Sequence, residues 1–207
     1  MHLLHVEGSP RKQRSASIQV ARTFIEAWRA HHPGGTVDTL DVWNTELPAF
    51  DGPAIDAKYA GLAGQALTPE QMRAWTAIRT LAERMHRADV LLFSVPMWNF
   101  GIPYRLKHLI DAVSQKDVLF TFDERGLVGT LTGKKMIVVA ARGIALGPEY
   151  PPEIFDHQTA YMATWGRMVG ITECHVVAVE KTLYGPEADT ASRAAAGDEA
   201  VRLAATL

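Results

Sequence analysis

Val90-Leu91-Leu92-Phe93-Ser94-Val95-Pro96 is the stretch on which the reading of this chain turns. Its residues are apolar without alternation, and a proline stops it. A run this short, without the polar beat of a half-exposed strand, fits a central strand of a parallel sheet covered on both faces. The segments on either side agree. Upstream, Thr68-Pro69-Glu70-Gln71 has the form of a capped helix start, with Met72, Trp75, Ile78, Ala82 and Met85 on one face of the helix that follows. Downstream, Leu106, Leu109, Ile110 and Val113 mark a second amphipathic helix over Tyr104 to Val113. Helix, buried strand, helix is the repeating unit of an α/β sheet.

Moving outward, the unit recurs. Leu3 to Val6 and Met136 to Ala141 are further buried runs. Thr36 to Val42 reads as an outer strand and His175 to Val179 as a fifth. A helix begins at Ser17 with Ile18, Ala21, Phe24, Ile25 and Trp28 in register, and His31-His32-Pro33-Gly34-Gly35 ends it. One helix is expected over Ile154 to Val169, carrying Tyr161, Met162, Trp165 and Met168, and an alanine-rich helix after Tyr184-Gly185-Pro186. Val118 to Leu131 reads as a hairpin-like insertion around Asp123-Glu124-Arg125-Gly126, and Asn44 to Leu67 as an excursion with room for a short helix. Strict alternation of strand and helix predicts an α/β fold: a doubly wound, five-stranded parallel sheet with helices on both faces, one domain over 1–207.

Composition narrows the function. The 207 residues are 47% hydrophobic, enough for a core, and the net charge of -2 argues against a nucleic-acid or acidic-membrane partner. Cys174 is the only cysteine, which excludes an intrachain disulfide and suits a reducing compartment. The first residues have no basic stretch before a long apolar one, and no run is long enough to span a bilayer, so a cytoplasmic location is expected. No Cys/His cluster has metal spacing and no Gly-x-Ser-x-Gly elbow occurs, so neither a metal site nor a catalytic nucleophile is expected.

In such sheets ligands bind beyond the carboxyl ends of the strands, so the loops there matter most. The first, Gly8-Ser9-Pro10-Arg11-Lys12-Gln13-Arg14-Ser15-Ala16-Ser17, links a strand to a helix start. Free N–H groups and the helix dipole suit a phosphate there. Hydroxyls from Ser9, Ser15 and Ser17 and charge from Arg11 and Arg14 add to them. An ordinary N-cap with solvated arginines is the plainer reading. The loop is no dinucleotide fingerprint, since Gly-x-Gly-x-x-Gly is absent. Gly129-Thr130-Leu131-Thr132-Gly133-Lys134-Lys135 falls one residue short of a nucleotide P-loop and precedes a strand, so it reads as a turn. The second loop, Pro96-Met97-Trp98-Asn99-Phe100-Gly101-Ile102-Pro103, combines flat apolar surface with fixed polar groups, as cofactor pockets do. The third, Arg142-Gly143, offers close backbone approach.

Together these loops resemble the FMN-dependent NADH-azoreductases, which stand beside the quinone reductases in the flavodoxin-like superfamily. The resemblance runs through Ser9 to Arg11 and Ser15-Ala16-Ser17, then Pro96-Met97-Trp98-Asn99-Phe100 with Leu106-Lys107 and Asp111. It continues in Leu131 to Lys135, Arg142-Gly143, Gly170-Ile171-Thr172 and Tyr184-Gly185-Pro186-Glu187. It implies non-covalent FMN, with Ser9 and Ser15 to Ser17 on the phosphate, Met97 to Phe100 along the isoalloxazine near N5, and Arg142-Gly143 near its pyrimidine edge. It implies hydride transfer from NADH or NADPH to the flavin and on to a quinone or azo compound, in ping-pong order. The apolar aromatics of Val118-Leu119-Phe120-Thr121-Phe122 and of the helix carrying Tyr161, Trp165 and Met168 suggest a homodimer, and the resemblance implies that Phe120 and Trp165 wall its substrate pocket, Trp165 reaching it from the partner. The chain departs from the family at Trp98, where tyrosine is common, and at Ile144, where a second glycine is common.

Three rival readings carry different tests. A flavodoxin-type electron carrier is expected to be strongly acidic, unlike this chain, and would not turn over NADH with a quinone. A flavin or chromate reductase would share the serine loop but not the Met-Trp-Asn-Phe block. A non-flavin phosphate-binding domain would be colourless. No ribose-reading acid or 2′-phosphate arginine can be assigned, so the choice between NADH and NADPH stays open.

Overall fold

The computed structural model describes residues 1–207. Five strands form one parallel sheet: β1 (His2–Glu7), β2 (Thr36–Asp41), β3 (Val90–Pro96), β6 (Lys135–Ala141) and β7 (Glu173–Val179), in the order β2-β1-β3-β6-β7. β3 lies at the centre, as its unbroken apolar run requires, with Leu3 of β1 beside Val90 on one side and Lys135 of β6 on the other. The winding direction reverses between β1 and β3, so the switch point opens at their carboxyl ends.

Two apolar layers cover the sheet. On one face Leu3, Val90, Leu92, Ile137 and Val139 pack against α1 (Ala16–His31) and α7 (Pro186–Ala204). On the other, Leu4, Val6, Leu91, Phe93 and Val138 meet α3 (Pro69–Arg87), α4 (Tyr104–Val113) and α6 (Thr159–Met168). The start of α3 is a capping box. Thr68 Oγ1 accepts from the Gln71 N–H at 3.3 Å, and Gln71 Oε1 accepts from the Thr68 N–H at 2.9 Å. Its other end is capped by Lys134, whose Nζ donates to the His86 carbonyl at 2.7 Å and to that of Ala88 at 2.5 Å. Gly133-Lys134-Lys135 thus does structural work at a helix C-terminus. His32 closes α1 in a similar way, with its ring stacked on Trp28 and its Nδ1 3.0 Å from the Trp28 carbonyl.

The insertion is an antiparallel hairpin, β4 (Phe120–Asp123) with β5 (Gly126–Gly129), turning at Glu124-Arg125. Its base presses on the end of α6: a Cβ on Gly129 would stand 2.0 Å from the Gly170 nitrogen, so no side chain fits there. The Asn44 to Leu67 excursion contains a helix, α2 (Gly52–Leu62).

The single helix expected over Ile154 to Val169 is two: α5 (Pro152–Phe155), then α6 starting at Thr159. The break at Asp156-His157-Gln158 comes from side chains the apolar periodicity does not register. Asp156 Oδ1 accepts from the Thr159 N–H at 2.8 Å, starting a fresh helix, and Gln158 Nε2 donates to the Val95 carbonyl at 2.8 Å. The Asp156 bond serves an N–H that a continuous helix would pair with a backbone carbonyl, and the Gln158 bond reaches out of the helix to β3.

Candidate flavin site

The three loops singled out from the sequence follow β1, β3 and β6, three adjacent strands, at the carboxyl edge of the sheet. In the first, Gly8 fits under the β3 backbone: its N–H donates to the Ser94 carbonyl at 2.9 Å, and a Cβ would come within 2.8 Å of that oxygen. Ser9, Ser15 and Ser17 are all buried. Ser15 caps α1, accepting from the Ile18 N–H at 3.4 Å, and its hydroxyl lies 3.1 Å from that of Ser17. The N–H groups of Ala16 and Ser17, in the first turn, have no backbone acceptor. Arg11 and Arg14 are exposed and form no ion pair. Lys12 behaves differently. It takes a left-handed backbone, φ 49°, and turns inward to pair with Glu7 and Asp41. The loop therefore offers buried hydroxyls, two free amides and two unpaired guanidinium groups, a set suited to a phosphate.

Beneath this loop lies His5, buried, its Nε2 2.9 Å from the Ser94 hydroxyl. Burial, aided by the charges of Arg22 and Lys12, pushes its pKa down to about 4, so the ring is neutral at physiological pH. His2 sits on the opposite face of the strand and pairs with Thr36 instead.

The second loop is a tight reversal. Trp98 and Gly101 exchange both backbone hydrogen bonds at 3.0 Å, and the two residues between them have positive φ, 48° at Asn99 and 67° at Phe100. Such a primed turn favours Asn-Gly, so a phenylalanine in its second position is strained. The N–H groups of Asn99 and Phe100 have no backbone acceptor. Trp98, Asn99 and Phe100 are exposed, with Phe100 5.0 Å from Phe155. Met97 anchors the turn by donating its N–H to the Ala141 carbonyl at 2.7 Å. Beside the turn, a groove of about 700 Å³ runs between α4 and α6, lined by Asn99, Tyr104, Lys107, His157 and Tyr161 among others. Burial, then the charge of Asp111, pushes the Tyr161 phenol up to about 12, so it keeps its proton and remains a hydrogen-bond donor.

The third loop differs from what its residue types suggest. The Arg142 side chain is buried, with Nη1 3.4 Å from Asp156 and 3.7 Å from Glu180. Its guanidinium thus ties the break before α6 to the end of β7, and its Nε has no partner. Gly143 is covered by Leu183, itself 81% exposed, whose Cδ1 would be 2.6 Å from an added Cβ. Phe120 lies on the hairpin, edge-on to Phe122 at 5.8 Å. Trp165 does not project from the surface. It is 3% exposed, edge-on to Phe93 at 5.5 Å, with its Nε1 donating to Ser114 Oγ at 2.9 Å. Cys174 packs against the core, and burial pushes its thiol pKa up, away from nucleophilic use.

Sequence reading passed over the loop after β2. Trp43, in that loop, donates its Nε1–H to the Gly8 carbonyl at 3.0 Å, and its ring lies 5.5 Å from Trp98. The available signal was a lone tryptophan in Asp41-Val42-Trp43-Asn44, just past the carboxyl end of a strand.

Comparison with known proteins agrees with this geometry. The family described as having the flavodoxin-like fold matches residues 1–203. FMN-dependent NADH:quinone oxidoreductase 2 of Pseudomonas syringae pv. tomato is 54% identical over 207 residues, spanning 100% of this chain and 99% of that protein. FMN-dependent NADH:quinone oxidoreductase 9 of Burkholderia lata is 51% identical, spanning 99% and 98%. The crystal structure of azoreductase from Bacillus anthracis str. Sterne superposes with a TM-score of 0.89 at 26% identity, over 100% of both chains. With the sheet order, the serine loop and these relatives together, the chain belongs to the flavodoxin-like family and, within it, to the group of FMN-dependent NADH:quinone oxidoreductases.

Proposed function

We propose that this chain is an FMN-dependent NAD(P)H oxidoreductase acting on quinones and azo compounds. The observation that carries the reading is one sheet edge with two complementary halves. Buried serines, free amides and unpaired arginines stand at β1, and an exposed aromatic turn with free amides stands at β3. The residues fit FMN: an anion suits the first half and a flat heteroaromatic ring the second. When bound, that group supplies the hydride relay between nicotinamide and acceptor.

The chain's own residues then have defined tasks. Ser9, Ser15 and Ser17 with the Ala16 amide hold the phosphate, and Arg11 lends charge. Pro96 and Met97 fix the entry to the turn, and Trp98, Asn99 and Phe100 present their faces and amides to the ring. Arg142, locked by Asp156 and Glu180, holds the Gly143 backbone in place beside it. No side-chain acid or base is assigned.

Donor and acceptor are both flat and use the same place in turn, so the kinetics are ping-pong. Parallel double-reciprocal lines for NADH at several fixed quinone concentrations are expected, and intersecting lines would contradict a shared place. Heating the yellow purified protein should release FMN. Release of FAD alone, or no flavin uptake on reconstitution, would end the reading.

The site is completed by a second copy of the chain. Supporting this are the exposed side chains around its mouth, Trp98, Phe100, Tyr104 and Ile154, and the groove between α4 and α6. Aromatics of this kind are enriched in interface cores. Phe120, carried on the β4–β5 hairpin, walls the pocket in this assembly. Trp165 supports that wall from within the core of its own chain, since it is buried there. Light scattering should show a dimer, and a fully active monomer would refute the composite site.

A further inference from the structure

We infer that Trp43 is a positioning residue that sets the spacing between the phosphate-holding and ring-holding loops. The inference rests on the flavin reading above. Trp43 lies in neither loop, yet it touches both. Its indole N–H donates to the Gly8 carbonyl at 3.0 Å, at the root of the first loop, and its ring meets Trp98 at 5.5 Å, at the root of the turn in the second. It also meets the edge of Tyr104 at 5.3 Å, on the helix that follows the turn.

The loop that carries Trp43 is itself held on three sides. Asp41 Oδ1 accepts from the Trp43 N–H at 3.0 Å, and Asp41 Oδ2 accepts from Asn44 Nδ2 at 2.7 Å. Asp41 also pairs with Lys12, the residue whose left-handed backbone turns it out of the phosphate set. On the far side Arg105 of α4 donates to the Val42 and Thr45 carbonyls, both at 2.9 Å. Trp43 is therefore a rigid bridge with one end in each half of the site. A half-buried tryptophan, bonded through its only polar atom, has little rotational freedom left.

The consequence is a coupling effect. A ligand with a phosphate and a ring joined by a ribityl chain gains from both halves only when their spacing matches the chain. Linking two contacts in one ligand raises affinity through effective concentration, and that gain is lost when the geometry no longer fits. Loosening the bridge should therefore weaken a two-headed ligand more than one that uses the ring half alone.

The test compares FMN with riboflavin, which lacks the phosphate, by fluorescence titration of apoprotein. In the unaltered protein FMN should bind more tightly than riboflavin. In Trp43→Ala that ratio should fall about tenfold. A general loss of packing would lower both affinities in step and leave the ratio unchanged. Trp43→Phe keeps a ring against Trp98 and loses the bond to Gly8, so its ratio should fall about threefold, and it decides the matter if the alanine variant fails to fold. An unchanged ratio in a folded variant would overturn the inference, whatever happens to thermal stability. Failure of the unaltered protein to bind either flavin would instead overturn the flavin reading.

Discussion

The loops after β1 and β3 lie side by side at one sheet edge and are built on opposite principles. The first is polar and relaxed apart from Lys12, its hydroxyls buried and its free amides at a helix start. The second is apolar and strained, its aromatics exposed and two consecutive residues at positive φ. One is suited to charge and the other presents a flat apolar surface. A site that must hold an anion at one end and leave a flat surface open at the other needs both kinds of loop, and the proposed function puts the strain at the ring-holding end.

The contrast can be broken most directly at Ser17. Ser17→Glu places a carboxylate where the anion would lie. Losing a hydrogen bond to a charged group costs roughly 1.5–3 kcal/mol, and repulsion raises the total to about 4 kcal/mol. FMN affinity should fall roughly a thousandfold by fluorescence titration. Unchanged affinity in a folded variant would remove Ser17 from the phosphate set.

Acid should act on the first half through His5. Its folded pKa of about 4 lies below its ordinary 6.5, so between those values the unfolded chain takes up a proton that the folded one refuses. Stability contributed by the neutral ring is complete above about pH 6.5 and declines as the pH falls toward 4. The loss approaches about 3 kcal/mol. Urea unfolding at pH 7 and pH 4.5 should show the loss, and His5→Gln should flatten it. An equal slope in that variant would place the acid sensitivity elsewhere.

Strain in the second half has its own signature. Phe100→Gly and Phe100→Ala remove the same ring and the same contact with Phe155, but only glycine accepts φ 67° freely. The glycine variant should be the more stable by about 1 kcal/mol, reversing the usual order of glycine and alanine. Alanine equal to or above glycine in chemical denaturation would mean that the turn is not strained.

The smallest effect is expected at Arg11, exposed and unpaired. Arg11→Ala should weaken FMN about fivefold at low salt, on the order of 1 kcal/mol. The deficit should shrink at high salt, while riboflavin binding stays unchanged. A deficit independent of salt would mean that the arginine acts through packing.

The amino-acid sequence alone determined the sheet, its helices and the places to look for a site. Buried strands and amphipathic helices are written in local periodicity, and the Val90 to Pro96 run made β3 central before any pairing was known. The serine loop was legible as a candidate because the groups that would hold a phosphate at a strand-helix junction are neighbours in sequence. Tertiary structure alone decided what depends on distant partners. Arg142 looks like a free cation in sequence, and only the approach of Asp156 and Glu180 makes it a buried clamp. Apolar spacing extends through Asp156-His157-Gln158, and only the Val95 carbonyl and the helix-starting bond of Asp156 explain the break. Trp165 has the residue type of a pocket wall, and its place in the core follows from Phe93 and Ser114, far away in the chain. Trp43 was silent for the same reason: its meaning lies in a bond to Gly8 and a contact with Trp98, residues 35 positions before it and 55 after it, which folding brings together at one edge.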